Sequence, residues 1–107
     1  MVTSQKYRNI YCNGYHSKKE AKRGDELKLM QFAGEIENLR EQVPYVLIPA
    51  QEGERSIKYV ADFVYWDKRT NEEIVEDVKS NITKKLDSYV MKRKLMLYVH
   101  GIKIKEI

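Results

Sequence analysis

Ile57-Lys58-Tyr59-Val60-Ala61-Asp62-Phe63-Val64-Tyr65-Trp66 is the run that decides the fold. It is the densest stretch of β-branched and aromatic residues in the chain, and such a stretch favours a strand. On its N-terminal side, Gln51-Glu52-Gly53-Glu54 reads as a turn, preceded by a second strand-like segment from Ile36 to Pro49. Pro44 cannot donate to a ladder, so that segment belongs at a sheet edge, with its well-paired part expected at Tyr45 to Ile48. On the C-terminal side, Asp67 to Asn71 reads as a turn and Glu73 to Lys79 as a shorter strand. Connections this short make the three strands an antiparallel meander.

Helix signals lie on both sides of the meander. Ser17-Lys18-Lys19-Glu20 is a capping box, opening a helix expected from Lys18 to Phe32 and stopped by Gly34. Gly24 is its weak point. A second helix is expected from an N-cap at Thr83 through Leu86, Tyr89, Val90 and Leu97, ending at His100-Gly101. Ile102 and Ile104 alternate with Lys103 and Lys105, a last strand that a right-handed crossover would lay parallel to the third. The expectation is an α/β fold of order α-β-β-β-α-β: a mixed four-stranded sheet flanked by helices, in one domain over residues 1–107, with 1–15 as an N-terminal arm.

Composition excludes several classes of function. A chain of 107 residues has no room for a cofactor domain beside a substrate domain. One cysteine, Cys12, rules out an internal disulfide or a cysteine zinc site. His16 and His100 are too scattered for a histidine metal site. No apolar run approaches the ~20 residues of a membrane span, and the N-terminus lacks the apolar core of a signal peptide. A cytoplasmic protein with no membrane partner is expected. The net charge of +4 is uneven: +4 over residues 1–31, −5 over 32–79 and +5 over 80–107. A purely electrostatic nucleic-acid binder gains nothing from a carboxylate-rich centre, because carboxylates repel phosphate. A protein that sets a divalent cation between itself and a phosphate does.

The chemistry-bearing residues fall at the ends of the second and third strands. On a period of two, Asp62 shares a face with Val60 and Val64, where a carboxylate is costly to desolvate. The same period places Asp77 and Lys79 on one face with Val75. If the two strands are neighbours, Asp62, Asp77 and Lys79 meet at one end of the sheet. Two carboxylates and a lysine suit metal-assisted hydrolysis of a phosphodiester. Glu20 has two readings: the closing member of the capping box, or a further oxygen ligand at that site. Basic residues for a polyanion are Lys18 and Lys19 on the first helix and Lys84, Lys85, Lys92 and Arg93 around the second. Lys6 and Arg8 alternate with Tyr7, Tyr11 and Tyr15, a pattern suited to stacking on nucleic acid or to packing on the domain.

A helix glutamate, then an aspartate, then Asp-x-Lys on the next strand resembles the PD-(D/E)xK nuclease superfamily. More narrowly, Ser17-Lys18-Lys19-Glu20-Ala21, Tyr59-Val60-Ala61-Asp62-Phe63, Glu76-Asp77-Val78-Lys79 and Gly101-Ile102-Lys103-Ile104 resemble a family of small phage and prophage proteins long filed as a domain of unknown function. The resemblance covers about Lys6 to Ile107. It implies a restriction-endonuclease-like fold, with Asp62 and Asp77 as metal ligands and Lys79 as the motif lysine. Glu20 stands where resolvase-like branches carry a helix glutamate, and Gln42 matches an accessory glutamine. Ala61 replaces the proline of the superfamily's name. The implied activity is a Mg²⁺-dependent endonuclease, with Mn²⁺ able to substitute, that acts on branched or duplex DNA in the manner of a Holliday junction resolvase. It is expected to work as a homodimer, in a bacterial host's cytoplasm if phage-encoded. The alternative is a non-catalytic DNA-binding or partner-binding phage protein that keeps the fold.

Overall fold

The computed structural model describes residues 17–107, so the arm, with its tyrosines, Cys12 and His16, lies outside the described residues. The first helix, α1 (Lys18–Phe32), opens at Ser17, whose Oγ accepts the Glu20 N–H at 3.0 Å. It runs through Gly24, which is buried, and ends just before Gly34 at φ 84°. Strands β1 (Ile36–Ile48), β2 (Ile57–Asp67) and β3 (Glu72–Asp77) form the antiparallel meander. A short 3-10 turn (Thr83–Lys85) precedes α2 (Asp87–His100), and the two-residue strand β4 (Lys105–Glu106) pairs parallel to β3. The sheet order is β1-β2-β3-β4, the mixed four-stranded α/β arrangement expected from the sequence.

Four boundaries differ from the expectation, the first being the last strand, which is confined to Lys105–Glu106 and does not include Ile102 or Ile104. Strand β1 pairs with β2 along nearly its whole length, Pro44 included. As an edge strand it tolerates the missing N–H there. Thr83 does not cap α2: it heads the 3-10 turn, where its N–H bonds Ser80 Oγ, and α2 begins after Leu86. Strand β3 stops at Asp77, so Lys79 lies just past its end.

The sheet has a core on each side. Ala21 and Leu27 of α1 pack with Ile36, Phe63 and Tyr65. Tyr89 and Met96 of α2 pack with Leu47, Tyr59, Ala61, Val64, Val75 and Ile104. Regular alternation cannot produce these memberships. Leu39 and Val43 are four residues apart on β1 and should share a face, yet they pack against different cores. Ala61 and Val64 are three apart on β2 and should oppose, yet they share one. The register sets Glu41 against Phe63 and Val43 against Ala61, so Gln42 and Asp62 lie opposite each other at the change-over. Gln42 has φ 53°, the left-handed region, which turns the strand over. Val64 therefore joins Ala61 in the α2-side core, and the even alternation that grouped Asp62 with Val60 and Val64 does not hold.

Among the described residues, no helix is long and apolar enough to cross a membrane.

Candidate functional site

The change-over is also where β2 and β3 part. Their ladder runs from Asp67–Glu72 to Phe63–Glu76 and goes no further. Beyond it the Asp62 carboxylate takes over a backbone role: Oδ2 accepts the Val78 N–H at 2.8 Å. Oδ1 accepts from Gln42 Nε2 at 3.2 Å, and the same amide nitrogen donates to Glu20 Oε2 at 3.0 Å. Glu20, on the first turn of α1, is only 5% exposed. The capping box thus contributes Ser17 as the cap, while the glutamate's Oε2 is tied to Gln42. One amide links α1 to the open end of β2.

Asp77, at the last position of β3, is 1% exposed. Its Oδ2 accepts the Tyr59 hydroxyl at 2.7 Å, and Lys79 Nζ lies 3.4 Å from the same oxygen. Burial and the adjacent Asp62 carboxyl push Asp77 up to about 7, against the pull of the Tyr59 hydrogen bond and the Lys79 charge. Burial, with Asp77 beside it, also raises Tyr59 far above the usual phenol range, so it stays a hydrogen-bond donor. The Lys79 ammonium stands over the Tyr89 ring, 4.8 Å from its centroid. Lys79's backbone carbonyl accepts from Lys19 Nζ at 3.0 Å.

The structure therefore brings Asp62, Asp77, Lys79, Gln42 and Glu20 to one place. Asp62 and Asp77 are two neighbouring carboxylates, and the ammonium of Lys79 lies beside Asp77 alone, a donor set short of positive charge. Mg²⁺ binds through one or two carboxylates and keeps several waters, which fits this pair. Among the described residues, no three His, Cys, Asp or Glu side chains converge closely enough to make a metal group by themselves. Glu20 connects to Asp62 through Gln42.

The basic residues divide. Lys18 is exposed, and Lys84 and Lys85 sit on the 3-10 turn. Lys92 shares a cleft with Lys79. Arg93 turns inward: it pairs with Glu106 at 3.4 Å and stacks against Tyr89. His100 packs edge-on against Tyr45, with Nε2 2.8 Å from the Val46 carbonyl. Sequence reasoning missed Tyr59. Its signal is a tyrosine deep in a strand, whose hydroxyl must find a partner when buried. It also missed Glu76, which is fully buried on the α1 side and held by Arg23 (2.6 and 2.8 Å) and by the Tyr65 hydroxyl.

A family model spans residues 4–105, nearly the whole chain. The chain belongs to the family described as "Protein of unknown function (DUF1064)". No curated protein and no solved structure shows a significant match to it.

Proposed function

We propose that this DUF1064 member is a Mg²⁺-dependent DNA endonuclease with a PD-(D/E)xK-type site. The observation that supports it best is the meeting of Asp62, Asp77 and Lys79 where β2 and β3 part, with Gln42 tying Glu20 to the same point. The order of Glu20, Asp62 and Asp77-x-Lys79, which carries the resemblance to the superfamily, supplies these positions, apart from Gln42. Mg²⁺ held by Asp62 and Asp77 would polarise the phosphate and lower the pKa of a bound water. Lys79, beside Asp77, would orient an attacking water and offset negative charge on the phosphate. Tyr59 and the Val78 N–H fix the two carboxylates. A domain this small covers little of a duplex, which favours action as a homodimer on branched DNA, in the cytoplasm of a bacterial host if the protein is phage-encoded.

The test uses a labelled four-way junction beside linear duplex and single strand, with Mg²⁺, Mn²⁺ or chelator. Asp77→Asn and Lys79→Ala should each lose cleavage by at least ~10², the worth of one electrostatic or proton-transfer group. DNA binding should survive both. Binding by wild-type protein without cleavage in either metal would favour the non-catalytic reading. Cutting that persists in chelator would overturn the metal mechanism.

A further inference from the structure

The cleft beside Lys79 has a composition that the carboxylate site does not account for. It is an open depression of about 310 Å³ between β2, the 3-10 turn and the start of α2. Three of its lining residues are lysines (Lys58, Lys79 and Lys92), Thr83 and Ser88 add hydroxyls, and none is acidic. Lys79 is occupied by Asp77, but neither Lys58 nor Lys92 has an ion-pair partner among the described residues. The residues outside that description contain no Asp or Glu. Two uncompensated ammonium groups facing one concave surface repel each other, a cost that an anion seated between them removes. Val60 and Leu86, 45% and 50% exposed, line the same cleft and offer apolar contact beside the charge.

We infer that this cleft is a second phosphate subsite, which seats the backbone phosphate of the nucleotide flanking the one held at Asp62 and Asp77. Lys58 and Lys92 contact the phosphate oxygens, Thr83 and Ser88 donate hydroxyl hydrogen bonds, and Val60 and Leu86 meet the adjoining sugar. Lys79 belongs to both places, so the cleft and the carboxylates address consecutive positions on one strand. The inference rests on the nuclease reading, and it goes further by naming the residues that grip the strand next to the cut.

The experiment measures equilibrium binding of the full chain to a fluorescent four-way junction and a fluorescent duplex, in chelator, across a salt series. Each lost phosphate contact should lower the slope of log K against log salt by about 0.9 on duplex. Lys58→Ala with Lys92→Ala empties the one phosphate seat they share, and should therefore flatten the slope by about 0.9 and weaken binding about tenfold near 0.1 M salt. Lys58→Arg with Lys92→Arg should restore both. Lys103→Ala with Lys105→Ala removes the same charge from exposed positions and should change the slope by less than half as much. Thermal unfolding of each variant checks that the fold persists. A Lys58/Lys92 pair that behaves like the Lys103/Lys105 pair, with wild-type binding intact, overturns the subsite and leaves the nuclease reading standing. Wild-type protein that binds no DNA at all overturns both. Nucleoside monophosphate or tripolyphosphate that occupies the cleft while the DNA slope stays unchanged in the Lys58/Lys92 variant identifies a site for free phosphate, and also overturns the proposal.

Discussion

Glu76 and Asp77 are adjacent on one strand, equally buried, and settled in opposite ways. Glu76 faces the α1 side, where the Arg23 guanidinium meets both of its oxygens and the Tyr65 hydroxyl completes the shell. The pairing drives Arg23 well above its ordinary value, chiefly through the hydrogen bond to Glu76. Asp77 faces the α2 side, beside a second carboxylate, with the Tyr59 phenol 2.7 Å and the Lys79 ammonium 3.4 Å away. One carboxylate is neutralised by the fold, and the other is left short of positive charge. A strand that pairs one carboxylate with an arginine and leaves the next without one separates an anion neutralised by the fold from one still short of positive charge. The strongest way to break this comparison is to remove Arg23. Arg23→Ala strands a buried carboxylate, which typically costs about 3–5 kcal/mol. Urea unfolding should show that loss, and a cost below about 1 kcal/mol would mean that Glu76 does not depend on Arg23.

The opposite sign is expected one residue later. Asp77's folded pKa of about 7 lies above its ordinary value of 3.8. The protonated form is therefore favoured by the fold. The stability it contributes is full below pH 3.8 and is lost as pH rises through about 7. Wild-type protein in chelator should lose stability over that window. Asp77→Asn keeps an acceptor for Tyr59 and gains an N–H to offer Asp62. It should flatten the pH profile and be more stable than wild type by about 1–3 kcal/mol above neutral pH. Mg²⁺ should raise the wild-type melting temperature near pH 8 by binding the folded state, and should not raise that of Asp77→Asn. A variant no more stable than wild type at high pH would show that Asp77 is as well neutralised as Glu76.

Most of the frame could be read from the sequence because local signals agreed with the global fold. The run Ile57 to Trp66, the turn at Gln51 to Glu54 and the Gly101 stop each led to the element now seen there. The meeting of Asp62, Asp77 and Lys79 could be read from β2 and β3 being neighbours, although the ladder stops at Phe63–Glu76 and the three gather just beyond it. What could not be read was the slip in alternation at Gln42 and Asp62. Asn38, also left-handed at φ 57°, is a residue type that tolerates such a turn. Gln42 is not, and nothing in its neighbours announces the conformation. Glu76 was hidden for a different reason. Period two placed it away from Asp77, but its partner Arg23 lies 53 residues away on α1, a pairing that only the packed structure defines. The 3-10 turn ahead of α2 escaped because the Thr83 hydroxyl, read as a helix cap, bonds Ser80 Oγ instead, and Ser80 Oγ accepts the Thr83 N–H at the start of a tighter turn.

Gln42 gives the finest distinction between the two sides, because it combines a backbone role with a side-chain role. A non-glycine residue in the left-handed region carries a cost of roughly 1–2 kcal/mol, which the surroundings must offset. Here two hydrogen bonds to carboxylates, on Glu20 and Asp62, are in place to do so. Gln42→Ala removes the amide and keeps the strain, whereas Gln42→Gly removes both. The glycine variant should therefore unfold within about 1 kcal/mol of wild type, and the alanine variant about 1 kcal/mol below the glycine variant. Cleavage should behave differently, falling alike in both, because the lost link between Glu20 and Asp62 is the same. Equal stability of the two variants would mean that residue 42 leaves the left-handed region once its amide is gone, so that the side chain holds the backbone there. Cleavage that survives in the glycine variant alone would assign Gln42's contribution to the turn of the strand rather than to its amide.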